Sequence, residues 1–341
     1  MAVALRTPSL GFLGVGWIGR SRMQSLVSSG AAVAAAVADP DPELRRAAVA
    51  DARAAARAGD PEPVEAAGLD GLLACDLDGV VIATPSAQHA EQAITALAGG
   101  LPVFCQKPLG RNAAEAGAVV AAAERADRLL GVDLSYRYTE AITRIAGLLA
   151  ADAIGEPYAL DLVFHNAYGP DKPWFRRRNQ AGGGCLIDLG THLVDLALWL
   201  TGSRSAEVRA ARVLHQGKPL DTGANEVEDF ALAELELGGI VARLACSWWL
   251  PAGRDCVIEV VLYGGRGALA LRNVDGSFYD FEARLQRGRE SELLAAPPDD
   301  WGGRALRAWA DRLVADRHFD RAAREYVAVS QVIDEIYASA S

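Results

Sequence analysis

Apolar and polar positions alternate in two rhythms along the first third of the chain. Short apolar runs stand at Leu10–Leu13, Ala32–Ala38, Gly79–Ala83, Pro102–Cys105 and Leu129–Val132. Between them lie Ala-rich stretches at Ile18–Ser29, Glu43–Ala58, Gln88–Ala98 and Ala113–Arg128, which suit helices. Strand–helix alternation of this kind predicts a parallel sheet with helices on both faces. After about Asp133 the rhythm changes. A helix over Glu140–Ala150 and the turn Ile154-Gly155-Glu156-Pro157 lead to a strand at Tyr158–His165. A polar loop and a helix at about Leu186–Leu200 come next. Strand-like runs follow at Val208–Leu214, Glu228–Leu237, Ile240–Trp248, Val257–Tyr263, Ala268–Arg272 and Ser277–Glu282. Gly238-Gly239 reads as a hairpin turn, and Trp301–Ala338 returns to helix. The pattern therefore predicts an α/β chain of two domains, the second built on a mostly antiparallel sheet.

Composition narrows the setting. A length of 341 residues suits two domains of ordinary size, and 51% apolar with 23% charged residues suits a globular protein. No apolar run reaches the roughly 18 residues of a membrane helix, so no membrane span is expected. The opening MAVALRTPSLGFLG lacks a basic start and reads as a first core strand. A cytoplasmic location follows as the expectation. Cys75, Cys105, Cys185, Cys246 and Cys256 are odd in number and scattered, which disfavours a disulfide framework or a structural zinc site. A net charge of -10 disfavours nucleic acid and anionic membranes as partners. It suits a neutral or cationic small molecule.

Gly14-Val15-Gly16-Trp17-Ile18-Gly19 follows an apolar strand and opens a helix. Asp39 stands 20 residues after Gly19, at the end of the next strand. That register is the dinucleotide fingerprint: glycines let a pyrophosphate approach the helix N-terminus, and the acid holds ribose hydroxyls. A carboxylate at that position repels a 2′-phosphate, so NAD is expected over NADP.

Two further stretches carry chemistry. Gln106-Lys107-Pro108 ends the run Pro102–Cys105, on the strand edge where open parallel sheets bind ligands, and Pro108 restricts the backbone of Lys107. A solvated strand end is the plain alternative. Gly182-Gly183-Gly184 precedes an apolar helix in which Asp188, His192 and Asp195 stand at i, i+4 and i+7. Polar groups on a buried helix are costly unless paired or used, so the alternative is a self-satisfied Asp–His–Asp network. With a single His and no second His nearby, no metal is expected.

Taken in order, these motifs resemble the glucose–fructose oxidoreductase, inositol dehydrogenase and rhizopine catabolism (Gfo/Idh/MocA) family. The resemblance rests on GVGWIG with Asp39, Thr84-Pro85-Ser86-Ala87-Gln88-His89, the Lys-Pro, Trp174-Phe175 before the triple glycine, and the Asp188–His192–Asp195 helix. It implies an N-terminal Rossmann domain (residues 1–133) and a C-terminal α/β domain (134–341) on a large, mostly antiparallel open sheet, whose last helix packs back on the first domain. It also implies oxidation of a secondary hydroxyl of a sugar, cyclitol or (amino)glycoside, and a homodimer or homotetramer formed through the second sheet. Lys107 and His192 would serve the reacting carbon, with Asp188 and Asn166 on the substrate. Histidine is the better base because its ordinary pKa lies near working pH. Thr84, Pro85, Ser86, His89, Gln106, Lys107, Arg137 and Trp174 would line the cofactor, with Arg137 equally suited to an interdomain ion pair. Relatives that use NAD for glycoside cleavage, or that only sense the dinucleotide, are the alternatives. Gln106 replaces the family's usual Glu. With no carboxylate there, Gln106→Glu is expected to move the pH–rate profile upward.

Overall fold

Each apolar run of the first third forms a strand, because every one is bounded by a turn-forming residue and flanked by a helix that covers it. The computed structural model describes residues 7–221 and 225–340, so the reading of the first six residues as part of a strand lies outside the described residues. Two compact units result. One holds the chain up to Gly110, with Ala114–Ser135 and Gly302–Val327; the other holds Arg111–Ala113, Tyr136–Trp301 and the chain from Ala328.

In the first unit the described residues form a six-stranded parallel sheet: β1 (Ser9–Leu13), β2 (Val33–Ala38), β3 (Val64–Ala66), β4 (Gly79–Ile82), β5 (Val103–Cys105) and β6 (Leu130–Val132). Their order is β3-β2-β1-β4-β5-β6, which reverses direction between β1 and β4. Every residue of β2 is buried, as a sheet covered on both faces requires. The covering helices include α1 (Trp17–Ser29), α2 (Pro42–Ala55), α4 (Ser86–Ala98) and α5 (Ala113–Ala126), with the short α3 (Leu69–Leu73) between β3 and β4. β3 and α3 escape a periodicity reading because each is only a few residues long. Trp309, on α9 (Arg304–Ala315), packs 5.8 Å from the Phe104 ring. The indole fits only because Gly131 has no side chain: a Cβ there would stand 2.6 Å from it.

In the second unit the described residues form β7 (Pro157–Asn166), β8 (Glu207–His215), β9 (Lys218–Pro219), β10 (Phe230–Leu237), β11 (Ile240–Ser247), β12 (Cys256–Gly264), β13 (Gly267–Asn273), β14 (Phe281–Arg287) and β15 (Glu290–Ala295). Their nine-stranded sheet runs β15-β14-β13-β12-β7-β11-β10-β8-β9. β7 and β11 pair parallel, and the other pairings are antiparallel. One face carries Leu160, Leu162, Phe164, Leu235 and Leu244 into the core, against the helix that follows the triple glycine. The opposite face leaves Leu232 and Val241 exposed. The strand expected at Ser277–Glu282 forms instead at Phe281–Arg287 (β14), and β15 (Glu290–Ala295) adds an edge. The polar run Glu282–Glu292 hides both, since edge strands keep charged residues outward. The terminal helix is interrupted before α10 (Glu325–Ser339) by Asp316–Asp320.

The segment Arg178–Thr201 is long and apolar enough to cross a membrane by length and composition alone. Its most apolar window is 78% buried, and its role as the core helix of the second unit accounts for that composition.

Candidate functional site

In the first unit the chemistry-bearing residues follow the carboxyl ends of five parallel strands: Gly14 after β1, Asp39 after β2, Thr84 after β4, Lys107 after β5 and Asp133 after β6. Gly14 sits at φ +82°, and a Cβ there would lie 2.7 Å from the Ala83 backbone. The loop therefore packs directly on the β4 end. Gly16, by contrast, faces open space: a Cβ would meet nothing within 4 Å. It precedes α1, whose first turn has neither a side-chain cap nor an acidic residue. Trp17 is exposed at that same turn. Free N–H groups at a helix start beside an open glycine fit a pyrophosphate.

Asp39 Oδ2 accepts from the Val15 N–H at 2.9 Å, and Oδ1 accepts from the Asp41 N–H at 2.9 Å. The carboxylate is thus aimed by the glycine loop and stays half-exposed, with acceptor capacity left for ribose hydroxyls. Arg45 lies in α2, beyond the strand end. The structure folds it back so that its guanidinium donates to the Asp39 carbonyl and stands 3.7 Å from Glu65.

Thr84 donates to Gln92 at 2.6 Å, Pro85 caps α4, and Ser86 is buried at its start. His89 is 1% exposed, with its ring nitrogens 2.7 Å from the carbonyl oxygens of Pro108 and Thr84. Burial pushes its pKa below the ordinary value, against the pull of those two carbonyls. His89 thereby links the Thr84 and Lys107–Pro108 loops from inside the unit. From Pro102 to Gly110 every residue is buried except Lys107, so this strand end presents one ammonium group.

Gln106 is buried and donates through Nε2 to Asp133 Oδ2. The same oxygen accepts from Arg22 Nε at 2.6 Å. Asp133, which directly follows β6, thus sets a carboxylate against the Gln106 amide. Asp133 and Arg22 escape a motif search because they lie 27 residues after and 84 before Gln106. The only available signal was an acid at a parallel strand's carboxyl end.

In the second unit the helix after the triple glycine begins as a π-helical turn (Leu186–Gly190) and continues as α8 (Thr191–Thr201). From Gly183 to Leu198 every residue is buried except Asp188 and His192. The wider turn departs from the regular i, i+4 spacing assumed from sequence, yet both side chains reach the surface. Asp188 Oδ2 accepts from Trp248 Nε1 at 3.2 Å, and the His192 ring meets Tyr136 edge-on at 4.6 Å. Asp195 accepts from Arg137 through both oxygens, with Nε at 2.9 and 3.1 Å. That ion pair lies within the second unit, and the Arg137 guanidinium also stands 5.6 Å over the Trp199 ring.

The helix start is held by Glu228, which no motif signals. Its Oε1 accepts from the Gly184 N–H (2.9 Å), the Leu186 N–H (2.8 Å) and the Tyr337 hydroxyl (2.8 Å). Burial raises the Glu228 pKa against these donors. A Cβ on Gly184 would stand 1.9 Å from the Glu228 carbonyl oxygen, which explains that glycine. Asn166 ends β7 almost wholly buried, with an Oδ1 that has no hydrogen-bond partner. Trp174 stacks on Phe175 at 3.8 Å. Among the described residues no group of three or more His, Cys, Asp or Glu is placed to hold a metal ion.

Strand order, glycine loop and strand-end acid define an NAD-binding Rossmann unit joined to an α/β unit, an oxidoreductase architecture. Family models agree: residues 9–134 match "Oxidoreductase family, NAD-binding Rossmann fold" and residues 142–270 match "GFO/IDH/MocA C-terminal domain". A putative UDP-kanosamine synthase oxidoreductase subunit of Amycolatopsis mediterranei (strain S699) is 31% identical, covering 96% of this chain and 94% of that protein. The chain belongs to the Gfo/Idh/MocA family of NAD(P)-dependent oxidoreductases. Among solved structures, GenD2 from gentamicin A biosynthesis in complex with NAD superposes with a TM-score of 0.79 at 25% identity, covering 99% of this chain and 95% of that one. KijD10, a 3-ketoreductase from Actinomadura kijaniata, shares the fold with a TM-score of 0.81 at 21% identity, each chain covered to 98%.

Proposed function

We propose that the protein oxidises a secondary hydroxyl of a sugar, cyclitol or (amino)glycoside, with NAD as the hydride acceptor. One observation carries the reading: a helix otherwise buried from Gly183 to Leu198 brings only Asp188 and His192 to the surface. Desolvating a carboxylate and an imidazole beside an apolar core is costly, and use by a substrate gives the arrangement its purpose.

Bound NAD would lie on the Gly14–Gly19 loop and Asp39. Lys107 donates to the reacting oxygen as negative charge develops, and His192 takes the hydroxyl proton. Asp188, fixed by Trp248, orients a substrate hydroxyl. Relatives acting on inositols and an aminoglycoside-pathway enzyme of like fold support this substrate class, and a strand-end acid supports NAD over NADP. The exposed Leu232 and Val241 face supports assembly into a homodimer or homotetramer, and we place the enzyme in the cytoplasm.

NADH formation across inositols, hexoses and aminoglycosides tests the proposal. Lys107→Ala and His192→Ala are each expected to lower kcat by about 10²–10⁴-fold with NAD affinity kept. Release of a leaving group without net NADH would replace this reading with transient oxidation and elimination. Unchanged activity in both variants would sink it.

A further inference from the structure

The loop after β11 carries two tryptophans in contrasting surroundings. Trp248 is buried and donates to Asp188. Trp249, its ring 5.8 Å away at 74°, is 46% exposed. A half-exposed indole needs no explanation by itself. Two features set this one apart.

Its backbone lies at φ +57°, a left-handed conformation that a bulky side chain adopts only at a cost in strain. The conformation is held from both sides. The Trp248 N–H donates to the Asp229 carbonyl at 2.8 Å, and the Leu250 N–H donates to the Asn166 carbonyl at 2.9 Å. The ring is also seated: a Cβ on Gly169 would stand 2.2 Å from Trp249 Cζ2, so the indole edge occupies the space a side chain would take. Asn166, which pins the loop through its carbonyl, brings to the same strand end its buried Oδ1 without a partner. A strained, seated, half-exposed aromatic ring beside polar groups has the composition of a ligand site.

We infer that Trp249 is a carbohydrate platform, its indole receiving the apolar C–H face of a sugar or cyclitol ring that Asp188 holds by a hydroxyl. The inference rests on the dehydrogenase reading for the role of Asp188. An indole offers a large rigid contact at little entropic cost, and a pyranose or inositol ring has an apolar face rimmed by hydroxyls. The dipeptide Trp248-Trp249 sets both contacts in one stroke, one ring fixing the carboxylate and the other the ring plane. A hydroxyl pointing into the indole would be desolvated without a partner, so Trp249 selects among epimers.

The test is binding and turnover of myo-inositol, D-glucose and UDP-glucose by the NAD-loaded protein, in wild type, Trp249→Ala, Trp249→Phe and Gly169→Ala. Calorimetry should show one or more of these bound by wild type and weakened about ten- to hundredfold by Trp249→Ala. Trp249→Phe should fall between, and KM should rise while kcat and NAD affinity hold. Gly169→Ala should weaken binding with the tryptophan still present, because it unseats the ring. Equal affinities in wild type and Trp249→Ala overturn the inference. So does binding of none of the three probes, or a Trp249→Ala effect confined to the oligomeric state by light scattering. Trp249-dependent binding without NADH formation would leave the platform standing and remove the dehydrogenase reading. Equal kcat/KM with and without the indole would do the reverse.

Discussion

Gln106→Glu restores the residue usual in the family, and the structure makes its outcome calculable. The side chain is 7% exposed and donates to Asp133, which is 1% exposed and already paired with Arg22. An ionised carboxylate at that position would face a second one at about 3 Å, a repulsion of about 5.5 kcal/mol at an effective dielectric of about 20. Keeping a proton on a carboxyl of ordinary pKa about 4.3 costs about 3.7 kcal/mol at about pH 7. Protonation is the cheaper option, and the introduced O–H then donates to Asp133 as the amide did. Arg22 offsets part of either cost. The introduced carboxyl therefore titrates above its unfolded value. For a group with a raised folded pKa, stability is fully present below the unfolded pKa and lost as pH rises through the folded one. Urea unfolding should show the variant near wild type at about pH 4.5. Its deficit should grow by up to about 1.4 kcal/mol per pH unit and level off above about pH 8. The pH–rate profile near neutrality should not move, because the new group is uncharged there. That reverses the expectation drawn from the residue alone. A stability deficit independent of pH, or a profile displaced upward, would refute the Gln106–Asp133 geometry.

Three other outcomes follow from the same structure. Asp39→Ser removes the charge that repels a 2′-phosphate while Arg45 remains at the strand end, so the NAD-over-NADP preference in kcat/KM should fall by about 10–100-fold. Gly184→Ala forces a methyl group against the Glu228 carbonyl, and calorimetric unfolding should show a loss of about 3 kcal/mol or more. Glu228 has a raised pKa, so its contribution to stability is present below the ordinary carboxylate range and lost as pH rises. Glu228→Gln should therefore gain on wild type in stability as pH rises from about 5 to about 8.

Local pattern determined much of this protein. Periodicity marked the strands and helices of the first unit apart from the short β3 and α3, since a parallel sheet buried on both faces needs continuous apolar runs. Spacing marked Gly14–Gly19 and Asp39, since a pyrophosphate and a ribose lie a fixed chain distance apart. Lys107, Asp188 and His192 stood out as polar residues in apolar surroundings. The edge strand β15 and the shifted β14 were not legible, because their polar outward residues carry no strong alternation. The decisions about partners belonged to tertiary structure. Asp195 could have served His192, yet it pairs with Arg137, 58 residues earlier. Gln106 could have faced a ligand, yet it is bound to Asp133, just after the next strand. Glu228, just before β10, and Trp248, just after β11, fix the helix start and Asp188 from tens of residues later in the chain. Which residues tend to form a strand or a helix is set within a few positions of sequence. Which buried polar groups satisfy one another depends on contacts made only when distant segments pack.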